Sequence, residues 1–480
     1  GGKRPYDCKN TRDTFHTENK IEQENLSHVR VRMRGMMRFY SPLKKRNLWI
    51  FSGLSSAYSV YRSLFCVLVL ILKGNTMNIH SFSLNGMHIL LDVNSGAVHV
   101  VDEMISDIMN VFDGGNDEEV LTSLAEQYGE EELREALAEL HELIAAEKLF
   151  TPALEVPPTF KEEPILKSLC LHVAHDCNLR CRYCFAGTGD FGHSRGLMSA
   201  EVGKKAIDFL LEKSGSRRHL EIDFFGGEPL MNFEVVKELT AYVRLREKAA
   251  GKEVKLTLTT NAVLLRDEEL RFLNEEGISL VLSLDGRKEV HDYMRPNAGG
   301  NGSYEAVLSN IDKAIRSRND QNYYLRGTFT AHNLDFAADV LDMADRGYTQ
   351  LSVEPVVTSD EAEYALKEEH LPELYRQYEL LAKEYLERKL RGEGFDFFHF
   401  NVDIENGPCV AKRLSGCGAG HEYLAVTPEG DFYPCHQFVG REAYRLGSVE
   451  EGIVNEELPW TFRRAHVLAK EECSQCWARF

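Results

Sequence analysis

His175-Asp176-Cys177-Asn178-Leu179-Arg180-Cys181-Arg182-Tyr183-Cys184-Phe185 is the stretch from which the rest of the chain can be ordered. It follows an apolar, strand-like run over 168–173 and sets three cysteines as CxxxCxxC on one loop. Three thiolates at that spacing can each take a different iron of a cubane, leaving the fourth iron without a protein ligand. A chelating amine and carboxylate suit that open position, and the methionine end of S-adenosylmethionine carries both. A zinc loop is the plainer alternative, but zinc takes four ligands, commonly from paired CxxC motifs. The spacing therefore predicts Cys177, Cys181 and Cys184 as ligands of a 4Fe-4S cluster, with Tyr183 placed to pack on the adenine.

Downstream, five more strand-like runs follow at 220–225, 254–260, 279–284, 324–330 and 351–356, with helical patterns such as 200–213 and 233–249 between them. Repeated strand–helix units predict an α/β fold with a parallel sheet, and six of them a partial (β/α)6 TIM-like barrel over 165–400. In such barrels functional residues belong at the C-terminal ends of strands. The motifs fall there. Phe224-Phe225-Gly226-Gly227-Glu228-Pro229 closes the second strand, where Gly226 and Gly227 let the backbone approach a ligand and Glu228 can accept from an ammonium group. Thr260-Asn261, Ser283-Leu284-Asp285-Gly286 and Arg326-Gly327-Thr328 end the third, fourth and fifth strands, where Asn261, Ser283 and Arg326 are expected to serve ribose, carboxylate or substrate, although each also reads as an ordinary loop hydrogen-bonding residue. No single Asp or Glu stands out as a general base.

Upstream, Pro152, Pro157, Pro158 and Pro164 mark an extended linker over 153–164. Before it, residues 77–152 alternate apolar positions around Asn94-Ser95-Gly96, as a β-hairpin would, and then show three helical patterns. This order predicts a winged helix-turn-helix shape. Charge argues against its usual ligand, DNA: the segment holds 16 acidic residues against Arg134 and Lys148 alone. An exposed strand edge beside a helix can instead take a peptide by strand addition.

The net charge of −19 hides a second asymmetry, because residues 1–76 carry 14 Lys and Arg against 5 Asp and Glu. That basic segment lacks periodicity, and Met77 opens the patterned chain, so residues 1–76 are expected to lie upstream of the true start. The apolar run 64–72 is too short to span a bilayer, which takes about 20 residues. Eleven cysteines clustered in short motifs, with no signal peptide, favour metal ligation in a reducing cytoplasm over a disulfide framework. After residue 400 the pattern turns to Gly- and Cys-rich loops, with Cys409, Cys417 and Cys435 ahead of Cys473-Ser474-Gln475-Cys476. A loop-rich domain of this kind reads as one organised by metal, either further iron–sulfur clusters or a structural zinc.

These residues resemble the radical SAM superfamily. The spacing from Cys417 through Gly430 to Cys435, then Cys473 and Cys476, resembles its SPASM extension, which binds auxiliary 4Fe-4S clusters. The resemblance implies Cys409, Cys417 and Cys435 as ligands of a first auxiliary cluster and Cys473 and Cys476 of a second. That domain, 401–480, is expected to be incomplete because the family carries further cysteines beyond this point. Residues 77–152 look like the leader-recognition domain of enzymes that modify ribosomally made peptides. The stretches 171–186, 283–295 and 416–437 are similar to maturases that form thioether cross-links in SCIFF peptides. The expectation is thus a cytoplasmic enzyme that uses a 5′-deoxyadenosyl radical to join Cys sulfur to carbon in a cysteine-rich precursor peptide. It would bind that peptide through its leader and draw electrons from a ferredoxin or flavodoxin, with no nucleic acid or membrane partner. The rivals are an anaerobic sulfatase-type maturase making formylglycine, a non-catalytic iron–sulfur scaffold that binds peptides, and a redox-sensing winged-helix regulator.

Overall fold

The structure, a computed structural model, describes residues 78–84, 86–153, 155–156, 160, 163–192, 195–401 and 410–479. Expectations about residues 1–76, Met77 and Cys409 lie outside the described residues, as does the apolar run 64–72. The chain divides into two compact units, one running to Glu155 and including Gln475–Phe480, the other built from Val156–Asp403 and Lys412–Ser474.

The first unit opens with an antiparallel sheet in the order β1 (Ile79–Leu84), β2 (Met87–Asp92) and β3 (Val98–Val101). The expected turn joins β2 to β3. Asp92, fully buried, accepts from the backbone of Asn94 at 3.0 Å and Ser95 at 2.9 Å, while Gly96 supplies the left-handed φ of +74°. Sequence reading missed β1, whose Ile-His-Ser-Phe-Ser-Leu run is too polar to signal a buried strand. Helices Glu103–Ile108, Asp117–Tyr128 and Glu130–Ala145 follow, the first capped by the Asp102 carboxylate on Ile105 N at 2.9 Å. Their apolar stripes meet β2 in a core of Leu90, Ile108, Phe112, Leu133, Leu137 and Leu140. β3 is an open edge that exposes Val98 and Val100.

The second unit contains the six expected strands, each within a residue or two of its predicted ends. With the two-residue strands β5 (Gly196–Leu197) and β11 (Asp396–Phe397) set aside, they are β4 (Ser168–His175), β6 (His219–Gly226), β7 (Glu253–Thr260), β8 (Ser279–Ser283), β9 (Tyr323–Phe329) and β10 (Gln350–Pro355). All pair in parallel, in chain order. One set of alternate residues, including Leu171, Ile222, Phe224, Leu256, Leu282, Leu325 and Val353, packs against helices such as Ala200–Lys213 and Phe233–Ala250. The other set faces inward and is far more polar: Cys170, His172, Asp223, Thr257, Thr259, Arg326 and Glu354. The sheet does not end at β4. β12 (Tyr423–Val426) pairs with it in parallel, Ala425 opposite Cys170, and β13 (Asp431–Tyr433) continues antiparallel beyond. The cysteine-rich segment after residue 400, expected as loops, thus extends the barrel sheet. Among the described residues, no helix is long and apolar enough to cross a membrane.

Candidate metal centre

β4 delivers the cysteine loop. Its register slips between His172 and Ala174, a bulge that bends the strand end before the first cysteine. Cys177, Cys181 and Cys184 are free and partly buried. Burial pushes the Cys177 thiol up to about 12 and that of Cys181 to about 11, and it raises Cys184 as well. Buried thiols of this kind stay protonated unless a cation takes the proton's place, so the donor set suits metal ligation. No group of three or more His, Cys, Asp or Glu side chains among the described residues is placed to grip a single metal ion. A cubane sets no such requirement, because each thiolate meets a different iron. The Cys177 sulfur accepts from Leu179 N at 3.4 Å and from Asn261 Nδ2 at 3.7 Å, as ligating sulfurs do. The residues present therefore fit a 4Fe-4S cluster.

Two glycines bring β6 against this loop. A Cβ on Gly226 would fall 2.2 Å from Ala174 O, and one on Gly227 2.2 Å from Asp176 O. Instead, Gly227 N donates to Ala174 O at 2.8 Å and Glu228 N to Asp176 O at 2.9 Å. The close approach expected of these glycines is thus made to the cysteine loop itself. Glu228 is fully buried, and its carboxylate accepts from Leu230 N (3.0 Å), Thr260 Oγ (2.8 Å) and Asn261 N (2.9 Å). Burial raises it to about 7. Expected to hold an ammonium group, it spends its oxygens on tying β6 to the end of β7.

Tyr183 is anchored rather than free. Its hydroxyl donates to Asp285 at 2.8 Å, and the guanidinium of Arg295 lies 5.4 Å from its ring centre. Asp285, fully buried just after β8, also accepts from Arg295 Nε at 2.9 Å and Nη2 at 3.0 Å and from Thr328 N at 3.0 Å. Backbone bonds from Arg180 to Pro296 O (2.7 Å) and from Arg182 to Met294 O (2.8 Å) fasten the cysteine loop to the same segment. Sequence reading placed Asp285 in a strand-end motif without seeing this pair. Two opposite charges ten residues apart, bracketing the short helix Lys288–Met294, were the available signal.

Of the remaining expected residues, Ser283 ends β8 opposite Arg326 in the ladder. Arg326 is half-exposed, 3.9 Å from Glu354, whose carboxylate joins His399 at 2.9 Å and is pulled to about 2 mainly by that bond. On the same inner face Asp223 keeps some accessible surface, yet the protein around it pushes its carboxyl up to about 8. A carboxyl with that proton affinity can exchange a proton near neutral pH. Sequence reading passed over it.

Cys435 follows β13, and a thiolate at Cys417 adds to the burial that raises its pKa, so the two sulfurs lie within each other's field. Phe185, next to Cys184, and Phe225 of β6 both lie against the ring of His436, next to Cys435, at 5.3 and 5.0 Å. The two cysteine sets are thus joined through ring contacts, Phe185 tilted on His436 and Phe225 stacked on it. Cys473 sits in the short helix Glu471–Ser474, and Cys476 is exposed in the turn after it. Cys170 is a buried residue of β4.

Comparison with known proteins agrees with this layout. Residues 171–340 match the radical SAM superfamily model, and residues 417–477 match that of the SPASM iron–sulfur cluster-binding domain. The serine-type anaerobic sulfatase-maturating enzyme of Klebsiella aerogenes is 24% identical over 62% of this chain and 74% of its own length. The antilisterial bacteriocin subtilosin biosynthesis protein AlbA of Bacillus subtilis (strain 168) is 25% identical over 62% of this chain and 61% of its own. The solved structure of native anSMEcpe with bound AdoMet superposes with a TM-score of 0.53 at 20% identity, over 65% of this chain and 88% of that one. Residues 171–340 and 417–477 thus match a radical SAM domain and a SPASM domain within one chain. That pairing implies S-adenosylmethionine, a 4Fe-4S cluster that acts on it, and auxiliary iron–sulfur clusters.

Proposed function

Starting from that pairing of domains, we propose that the chain is a peptide maturase that installs thioether bonds, Cys sulfur to carbon, in a ribosomally made precursor. The observation that carries the reading is the shared sheet. β4, which leads into Cys177, pairs directly with β12, which lies between Cys417 and Cys435, so both cysteine sets serve one polar barrel interior. With S-adenosylmethionine and one electron, a 4Fe-4S cluster supplies a 5′-deoxyadenosyl radical.

Cys177, Cys181 and Cys184 would hold that cluster. Tyr183, fixed by Asp285 and Arg295, would border the nucleoside. Cys417 and Cys435, and Cys409 with them, would hold auxiliary iron, as would Cys473 and Cys476. The polar inner face, with Arg326, Glu354 and Asp223, would orient the peptide. The balance is simple: one substrate hydrogen leaves with 5′-deoxyadenosine, the thiol gives up a proton, and one electron remains for auxiliary iron. Residues 77–152 would hold the leader at the open β3 edge, where Val98 and Val100 are already exposed.

The test is anaerobic incubation of reconstituted enzyme with S-adenosylmethionine, a reductant and any small cysteine-rich peptide found encoded beside its gene. Each cross-link should remove two hydrogens and one alkylatable thiol while 5′-deoxyadenosine accumulates. The similarity to sulfatase-maturating enzymes favours a second reading, oxidation of one Cys or Ser to formylglycine. A product that reacts with a hydrazide and keeps its remaining thiols alkylatable would replace the first reading with the second.

A further inference from the structure

Asn261 follows the last residue of β7 and is 7% exposed. The residue is fixed from three directions. The backbone N–H donates to Glu228 Oε2 at 2.9 Å, Oδ1 accepts from Val263 N at 3.0 Å, and Nδ2 donates to Asn178 Oδ1 at 2.7 Å. Because Val263 N occupies Oδ1, the amide cannot be turned over without losing both of its own bonds. Nδ2 carries two hydrogens. One goes to Asn178, and the other faces Cys177 Sγ, 3.7 Å away. The neighbouring backbone reinforces this pose: Ala262 has a left-handed φ of +63°, its N–H bonds Thr260 Oγ at 3.0 Å, and its carbonyl accepts from Asn310 Nδ2 at 2.9 Å.

An N–H aimed at a ligating sulfur stabilises negative charge there, and more so when the cluster gains an electron. Hydrogen bonds to cluster sulfurs thereby raise the reduction potential. We propose that Asn261 is a positioning residue that sets the potential of the cluster held by Cys177, Cys181 and Cys184, through an N–H···S bond to Cys177. The inference rests on the reading that these three cysteines hold a 4Fe-4S cluster. It concerns how readily that cluster accepts its electron, not what the radical does afterwards.

The test is a redox titration of the reconstituted full chain, following the electron paramagnetic resonance signal that changes shape on adding S-adenosylmethionine. Asn261→Leu removes the donor and should move the midpoint to more negative potential. Asn261→Asp keeps the shape but turns an oxygen toward the sulfur, and should move it further in the same direction. Wild-type midpoints in both variants at wild-type iron content would overturn the proposal. So would loss of iron in Asn261→Leu beside an unchanged midpoint in Asn261→Asp, which would mark a merely structural role. A wild-type protein with no signal responsive to S-adenosylmethionine would overturn the cluster reading itself, and this inference with it.

Discussion

Replacing Arg295 with leucine should cost the barrel ~3–5 kcal/mol and loosen the cysteine loop, because it strands a fully buried carboxylate. Asp285 receives four donors: two from Arg295 at 2.9 and 3.0 Å, the Tyr183 hydroxyl at 2.8 Å and Thr328 N at 3.0 Å. Arg295→Leu removes two of these. At about 1.5–3 kcal/mol for each hydrogen bond to a charged group, the loss is consistent with the cost of breaking a buried pair. Arg295→Lys keeps the charge but can remake only one bond, so it should cost about half as much. The double variant Asp285→Asn/Arg295→Leu removes both charges and should be no worse than Arg295→Leu alone, a coupling of at least ~2 kcal/mol. Urea unfolding of wild type, these three variants and Asp285→Asn alone, which closes the cycle, measures these terms when followed by circular dichroism under reducing conditions. Iron content after reconstitution should fall in the same order, since Arg180 and Arg182 bond the backbone on either side of Arg295. Additive costs, or less than ~1 kcal/mol for Arg295→Leu, would refute the idea that this pair holds the loop.

Other outcomes follow from the same geometry. Gly227→Ala, whose new methyl would meet Asp176 O at 2.2 Å, should lose iron and stability together, whereas Gly86→Ala, with nothing within 4 Å, should cost only about 1 kcal/mol for its φ of +76°. Asp223 titrates near 4 when unfolded and near 8 when folded, held up by burial among Cys170, Thr259 and Tyr423. Its contribution is therefore complete at low pH and is lost as pH rises toward 8, by up to ~1.4 kcal/mol per pH unit. The stability advantage of Asp223→Asn over wild type should grow between pH 5 and 8, and a flat difference in urea midpoints would contradict this. Cys177→Ala should abolish S-adenosylmethionine cleavage. Cys435→Ala should preserve that cleavage while lowering iron per chain, as measured by iron assay and 5′-deoxyadenosine yield.

Much of the barrel was legible because its physics is local. Apolar runs at 168–173 and 351–356, bounded by helical periodicity, need no distant partner to declare themselves strands. β1 was missed for the opposite reason: His80 and Ser81 carry no apolar signal, and pairing with β2 alone defines it. The strand character of 423–426 was likewise hidden among glycines and cysteines, since β4 provides its partner. In the site, cysteine spacing announced the donor set but not what supports it. The roles of Glu228 and Asp285 depend on which backbone N–H groups end nearby, and sequence separation gives no clue that Thr328 N meets Asp285. The polar inner face was legible only as alternation, and the raised proton affinity of Asp223 required knowledge of what surrounds it.

The pairing of β4 with β12 also has a consequence for biosynthesis. Translation releases β4 well before residues 423–426 leave the ribosome, so positions 168–171 along one edge of a strand with seven buried residues wait unpaired while the whole barrel is made. An apolar strand edge of that kind invites association with other nascent chains. Yield should therefore depend on slow, cool expression or on chaperones. A chain cut near residue 400 would not be a simpler radical domain but a sticky one, so any minimal version should retain β12 and β13.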